Sequence, residues 1–188
     1  MEQHDAELIQ QTLRGNEAAF ASLVHRYDRQ VLGIVARYTQ CADDAKDLYQ
    51  DIFIRVYRGL PKFKFRSEFS TWIFRITTNV CLDYRSKKKN ELKHVLRHDD
   101  EALLPVSNHL PATRDTDNAL RSKELASEIT DAIGMLPPQQ RMVFLLKHYE
   151  GMKLKDIASA MHCAEGTVKK YLFTAVRRLR EELKDVLP

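Results

Sequence analysis

Residues 154–179 read LKDIASAMHCAEGTVKKYLFTAVRRL, and the way this stretch divides decides the fold of the second half of the chain. Ile157, Ala158 and Met161 share one face of a short helix over Leu154–Met161. Val168, Leu172, Ala175 and Leu179 recur at three- and four-residue spacing, the inner stripe of a longer helix over Ala164–Lys184. A short helix, a turn of about three or four residues and a second helix make a helix–turn–helix unit, and Ala158 is small enough to let the two axes approach. The outer face of the second helix then carries Glu165, Thr167, Lys169, Lys170, Phe173, Thr174, Arg177 and Arg178. Those types suit base edges and phosphates in a major groove. An ordinary helix pair in a helical domain would show the same inner stripe, but not the basic outer face.

Upstream of this unit, helical periodicity covers Ala119–Gly134. Leu136-Pro137-Pro138 then turns the chain into a proline-started helix running to Tyr149, with Gly151 as its stop. Between Asn90 and Asp117 the pattern fails: Pro105, Pro111 and scattered acids sustain no stripe, and only Leu92–Leu96 suggests a short helix. The N-terminal part holds three amphipathic helices, Asn16–Thr39, Ala42–Leu60 and Glu68–Lys89, the last capped by Ser67. Strand signals are scarce. The expectation is an all-α chain: a helical bundle over 1–89, a flexible linker over 90–117 and a helix–turn–helix domain over 118–188. A linker of about 28 residues permits the two halves to pack on each other.

Composition narrows the function. With 30 basic and 26 acidic residues the net charge is only +4, but the cations cluster. Arg85-Ser86-Lys87-Lys88-Lys89 is almost wholly basic, and Lys169, Lys170, Arg177, Arg178 and Arg180 form a second group. Cys41, Cys81 and Cys163 are odd in number and far apart, so neither a disulfide framework nor a zinc site is indicated. No secretory signal or membrane-spanning run is apparent, which points to a cytoplasmic protein. Phosphate loops, nucleophile elbows and paired metal-binding histidines are missing from the sequence, so catalytic residues, cofactors and metal ligands are not expected.

Two further constellations stand out. The loop Phe63-Lys64-Phe65-Arg66-Ser67 interleaves aromatic and basic residues ahead of a helix whose polar stripe is Thr71, Arg75, Thr78, Asn79 and Ser86. Rings stack on unpaired bases and amides read base edges, which suits single-stranded DNA. The competing reading is core packing of Phe69 and Trp72 beside a solvated basic end. Asp43, Asp47 and Asp51 recur every four residues with Asp44 beside them. Carboxylates on one helix face converge poorly on a cation, so a solvated or partner-binding face is the better reading.

Four stretches, in order, resemble the extracytoplasmic-function (ECF) RNA polymerase sigma factors: NEAAFASLV from Asn16, DAKDLYQDIF from Asp44, FSTWIFRITTN from Phe69 followed by Asp83-Tyr84-Arg85, and LPPQQR from Leu136 running through Gly166-Thr167-Val168-Lys169. The resemblance covers about residues 5–89 and 118–184. It implies a sigma-two domain followed by a sigma-four domain, and a stress-response regulator of transcription initiation. Asp47, Leu48, Gln50, Asp51 and Phe53 would dock on the β′ clamp helices of core RNA polymerase, and sigma-four would meet the β flap. Phe65, Arg66, Ser67, Trp72, Arg75, Asn79, Lys87 and Lys88 would capture the melted −10 promoter element. Thr167, Lys169, Lys170, Phe173, Thr174, Arg177 and Arg178 would read and hold the −35 element. An anti-sigma factor would hold the protein inactive. The chain departs from the family pattern at His162, where glycine is usual, at Glu165, and at Tyr171 and Thr174, which leaves the −35 sequence open.

Overall fold

The computed structural model describes residues 4–95 and 117–184, with side chains over 4–88 and 125–184. Eight α-helices and no strand occur among the described residues: α1 Asp5–Leu13, α2 Glu17–Thr39, α3 Ala42–Gly59, α4 Phe69–Val95, α5 Asp117–Met135, α6 Pro138–His148, α7 Leu154–Ala160 and α8 Glu165–Glu182. The helix starts follow local chemistry. The Asn16 side chain accepts the Ala19 N–H at 3.2 Å to cap α2. Pro138 opens α6, where its missing N–H costs nothing. Gly151 and His162 both take left-handed backbone, φ 64° and 51°. His162 therefore does occupy the conformation that glycine would fill in the turn of the helix–turn–helix unit.

Three expectations need correction. α1 carries only two buried aliphatics, Leu8 and Ile9, too few over nine residues to show as a stripe. It is held by Asp5, which accepts hydrogen bonds from Arg26 and the Tyr27 hydroxyl, both at 2.5 Å. The first helical bond of α4 runs from the Trp72 N–H to the Glu68 carbonyl, so Glu68, not Ser67, stands at the cap. α4 continues to Val95, so residues 90–95 extend the helix rather than open a linker. The remaining linker residues, with Asp99, Asp100, Glu101, Pro105 and Pro111, lie outside the described residues.

In the first half, α2 packs on α1, α3 and α4 around Leu23, Val31, Ile34, Ile52 and Ile73. In the second, α6 and α7 pack on α8 around Met142, Leu145, Ile157, Val168 and Ala175. The two halves share a single hydrophobic core. α7 lies against α4, and the C-terminal turns of α2 lie against α5 and α6. Across this seam the Arg141 Nη1 donates to the Tyr38 carbonyl at 2.6 Å, the Gln40 Nε2 donates to the Thr130 carbonyl at 2.7 Å, and the Arg37 guanidinium sits 4.2 Å from the centre of the Tyr149 ring. Burial lowers the proton affinity of Arg141, assisted by the charge on Arg85, to about 10, which leaves it cationic at neutral pH.

Candidate nucleic-acid interface

The loop before α4 is organised by rings. Phe63 is buried and lies 4.9 Å from Phe65, 5.7 Å from Phe69 and 5.1 Å from Trp72, centre to centre. This platform lifts Phe65 out: its backbone is left-handed at φ 54° and its side chain is 49% exposed. A bulky residue pays for that conformation, which marks a position held by its surroundings. Arg66 and Ser67 beside it are exposed. Arg75, half-buried, and Asn79, exposed, stand one turn apart on α4. Trp72, by contrast, is only 9% exposed and lies over Gly59, where an added Cβ would come within 3.0 Å of the indole. The indole supports the loop and does not present a face to solvent. Thr78 is fully buried and leaves the polar stripe.

At the far end of the described part of α4, Lys87 is exposed, while Lys88 is tied back to α3. Its Nζ donates to Asp44 at 2.9 Å and to the Tyr84 hydroxyl at 2.7 Å, and that hydroxyl donates to Asp44 at 2.5 Å. Burial pushes the Asp44 carboxyl up, but hydrogen bonds from Tyr84, Lys88 and Cys41 outweigh it and hold the carboxyl below its usual range. The hydrogen bonds that Lys88 donates to Tyr84 and Asp44 in turn raise its own proton affinity. Lys88 is thus a cation with an acidic partner already in place, whereas Lys87 stands open to solvent.

On α8 the inner stripe is Val168, Ala175 and Leu179, all buried. The outer face carries Lys169, Lys170, Phe173, Arg177 and Arg178, all exposed. Phe173 is 72% exposed, an apolar ring set among the cations of this face. Glu165 pairs with Lys169 at 3.0 Å and Glu181 with Arg177 at 3.8 Å, so the acid at the helix start is partly neutralised within its own helix. Thr167 is half-buried, and the Thr174 hydroxyl donates back to the Lys170 carbonyl at 2.9 Å.

The acidic face of α3 resolves differently from its sequence pattern. Asp47 and Gln50 are exposed, Leu48 is half-buried, and Asp51 pairs with Arg55 at 2.9 Å. Phe53 is buried against Tyr49, with ring centres 4.9 Å apart. The outward apolar residues are instead Ile54 and Tyr57, 48% and 51% exposed. They continue the stripe of Asp47, Gln50 and Asp51 at helical spacing. The signal was in the sequence, since 47, 50, 54 and 57 follow one another by three or four.

Residues 23–91 match the family model described as sigma-70 region 2, and residues 126–179 that described as sigma-70, region 4. The ECF RNA polymerase sigma-E factor of Haemophilus influenzae is 30% identical over 185 residues, spanning 97% of this chain and 97% of that protein. The chain belongs to the ECF RNA polymerase sigma factors. Another relative, the RNA polymerase sigma-H factor of Pseudomonas aeruginosa, is 28% identical over 187 residues, spanning 99% of this chain and 97% of its own length. Among solved structures, CnrH in complex with the cytosolic domain of CnrY shares the fold at a TM-score of 0.69 and 22% identity, covering 97% of this chain and 99% of that one. The sigma factor RpoE in complex with the anti-sigma factor NepR from Bartonella quintana does so at 0.69 and 23%, covering 89% and 98%.

A sigma factor acts in transcription initiation, and this one offers two exposed surfaces suited to nucleic acid, one on each half. No described helix is long and apolar enough to cross a membrane. Of the residues expected to touch partners, Trp72 and Phe53 are the two that folding takes inside.

Proposed function

We propose that this sigma factor reads the −10 element with Phe65, Arg66, Ser67, Arg75, Asn79 and Lys87, and the −35 element with Thr167, Lys169, Lys170, Phe173, Thr174, Arg177 and Arg178. The observation that carries the reading is the pair of exposed phenyl rings, Phe65 and Phe173, each flanked by exposed cations on a different half of the chain. Phe65 is placed to stack on an unpaired base, and α8 has the shape and charge to enter a major groove. Trp72 backs the loop, and Lys88 reaches phosphate by exchanging Asp44 for it. Core polymerase docks through Asp47, Leu48, Gln50 and Asp51, with Ile54 and Tyr57 supplying the apolar contact in place of Phe53. The β flap fits the apolar groove lined by Phe144, Val176, Leu179 and Leu183. The domain limits, 1–89, a connecting segment and 118–188, follow the same division, with the helical extension to Val95. The protein works in the cytoplasm, as a non-enzymatic subunit. An anti-sigma factor is the expected regulator, since one structure of the same fold is a sigma factor in complex with an anti-sigma factor.

The test is run-off transcription with purified core polymerase on a library of promoter fragments. Transcripts that need the protein and share two conserved elements are the expected outcome. A confirmed absence of any complex with core would favour a free-standing DNA-binding regulator instead.

A further inference from the structure

Phe65 stands half-exposed on left-handed backbone, so the loop that carries it does not hold it unaided. The rings beneath do. Phe63 packs on Phe65, Phe69 and Trp72, and Phe69 in turn meets a ring from another helix. Tyr27 of α2 lies 5.4 Å from Phe69, centre to centre, with the ring planes at 69°. An edge-to-face contact of this kind depends on the tilt of each ring. The tilt of Tyr27 is fixed at its far end. There the hydroxyl of the buried ring donates to Asp5 of α1 at 2.5 Å, while the second Asp5 oxygen accepts from Arg26 at 2.5 Å. A charged acceptor makes both bonds stronger than neutral ones. Burial, helped by Asp5, raises the Tyr27 phenol far above its usual range, so the hydroxyl keeps its proton and donates.

α1 reaches the same loop by a second route. It packs on the short 3₁₀ turn Leu60–Lys62, which leads straight into Phe63. Leu8 and Ile9 of α1 and Leu60 of that turn are all buried. A helix of nine residues is too short to stand alone, so α1 keeps its place through these contacts and through Asp5. Over Asp5–Leu13 it has no lysine, arginine or aromatic residue to offer DNA. Its influence on the −10 strand therefore runs through the loop.

We propose that Asp5 and Tyr27 are positioning residues for −10 recognition: their hydrogen bond seats the Tyr27 ring against Phe69, and the ring stack above then holds Phe65 where it meets an unpaired base. This rests on the assignment of Phe65 to the −10 strand given above.

The probe is a fluorescent single-stranded oligonucleotide carrying the −10 sequence recovered from the run-off library, titrated with the full chain bound to core polymerase. Tyr27→Phe keeps the ring and loses the hydroxyl, and Asp5→Ala loses the acceptor. Each should weaken binding of the strand by roughly tenfold. The double variant should do no worse, because both changes remove one interaction. Binding of duplex carrying the −35 element, and capture of core, should stay within about twofold of the unsubstituted chain. In a Phe65→Asn background, either change should add nothing. Unchanged strand binding in both variants would overturn the proposal. So would a loss shared equally by the strand, the −35 duplex and core, which marks a bundle that is only destabilised, or an undiminished loss in the Phe65→Asn background. Failure of the underlying assignment shows separately: Phe65→Asn alone would then bind the strand as the unsubstituted chain does, and the proposal would fall with it.

Discussion

Phe65 and Trp72 stand seven residues apart in the sequence and have opposite roles. Phe65 is half-exposed on strained backbone, and Trp72 is packed under the loop against Phe63, Phe69 and Gly59. Truncating a buried indole leaves a cavity, so Trp72→Ala should cost about 3–5 kcal/mol in thermal denaturation. Phe65→Asn should leave stability within about 1 kcal/mol, because asparagine accepts left-handed backbone. It should nonetheless lower promoter opening by roughly tenfold through the lost base stack, read by permanganate reactivity of the melted strand. Open complexes that form normally with Phe65→Asn would remove the ring from the −10 reading.

At the scale of the helix, α3 shows how a single turn of phase changes a functional assignment. Its buried side is Ala45, Ile52, Phe53 and Val56, and its open side ends in Ile54 and Tyr57. Exposed substitutions rarely disturb a fold. Ile54→Asp with Tyr57→Ala should therefore keep the helical circular-dichroism signal and melting curve within about 1 kcal/mol, while weakening association with core polymerase by at least roughly tenfold. Normal capture of core by that variant would reject this face as the docking surface. Phe53→Ala should behave in the opposite way, destabilising the bundle first. The same helix is tied to α4 by Asp44, Tyr84 and Lys88. In the proposed reading, this tie joins the polymerase-docking helix α3 to α4, the helix proposed to read the −10 strand.

For the whole molecule, the closed seam makes amide exchange informative. α7 is only seven residues long, too short to hold its hydrogen bonds without packing. Its protection in the free chain depends on its neighbours, including α4. In the complex with core and promoter DNA, α7 amides should exchange roughly tenfold faster, for about 1.4 kcal/mol of docking lost, wherever DNA does not replace the contact. Equal or greater protection across all of α7 in the complex would argue that the two halves never separate.

Helix periodicity, proline and glycine stops, and the basic outer face of α8 depend on local spacing, so the all-α class and the helix–turn–helix unit were legible from residue order alone. α1 escaped notice because two aliphatics do not make a period. The end of α4 was misplaced because polar, charged residues over 85–95 continue a helix as readily as they leave one. Which aromatics face inward could not be read from spacing, since Phe53 and Ile54, or Phe65 and Trp72, are equally apolar, and only the partners around each decide. The sequence by itself determined the helices, their order and the chemistry of their faces, because those follow from neighbours within a few residues. The tertiary structure alone decided the burial of Phe53 and Trp72, the Asp44–Lys88 tie and the seam between the halves, because each depends on side chains tens to a hundred residues apart arriving at the same place.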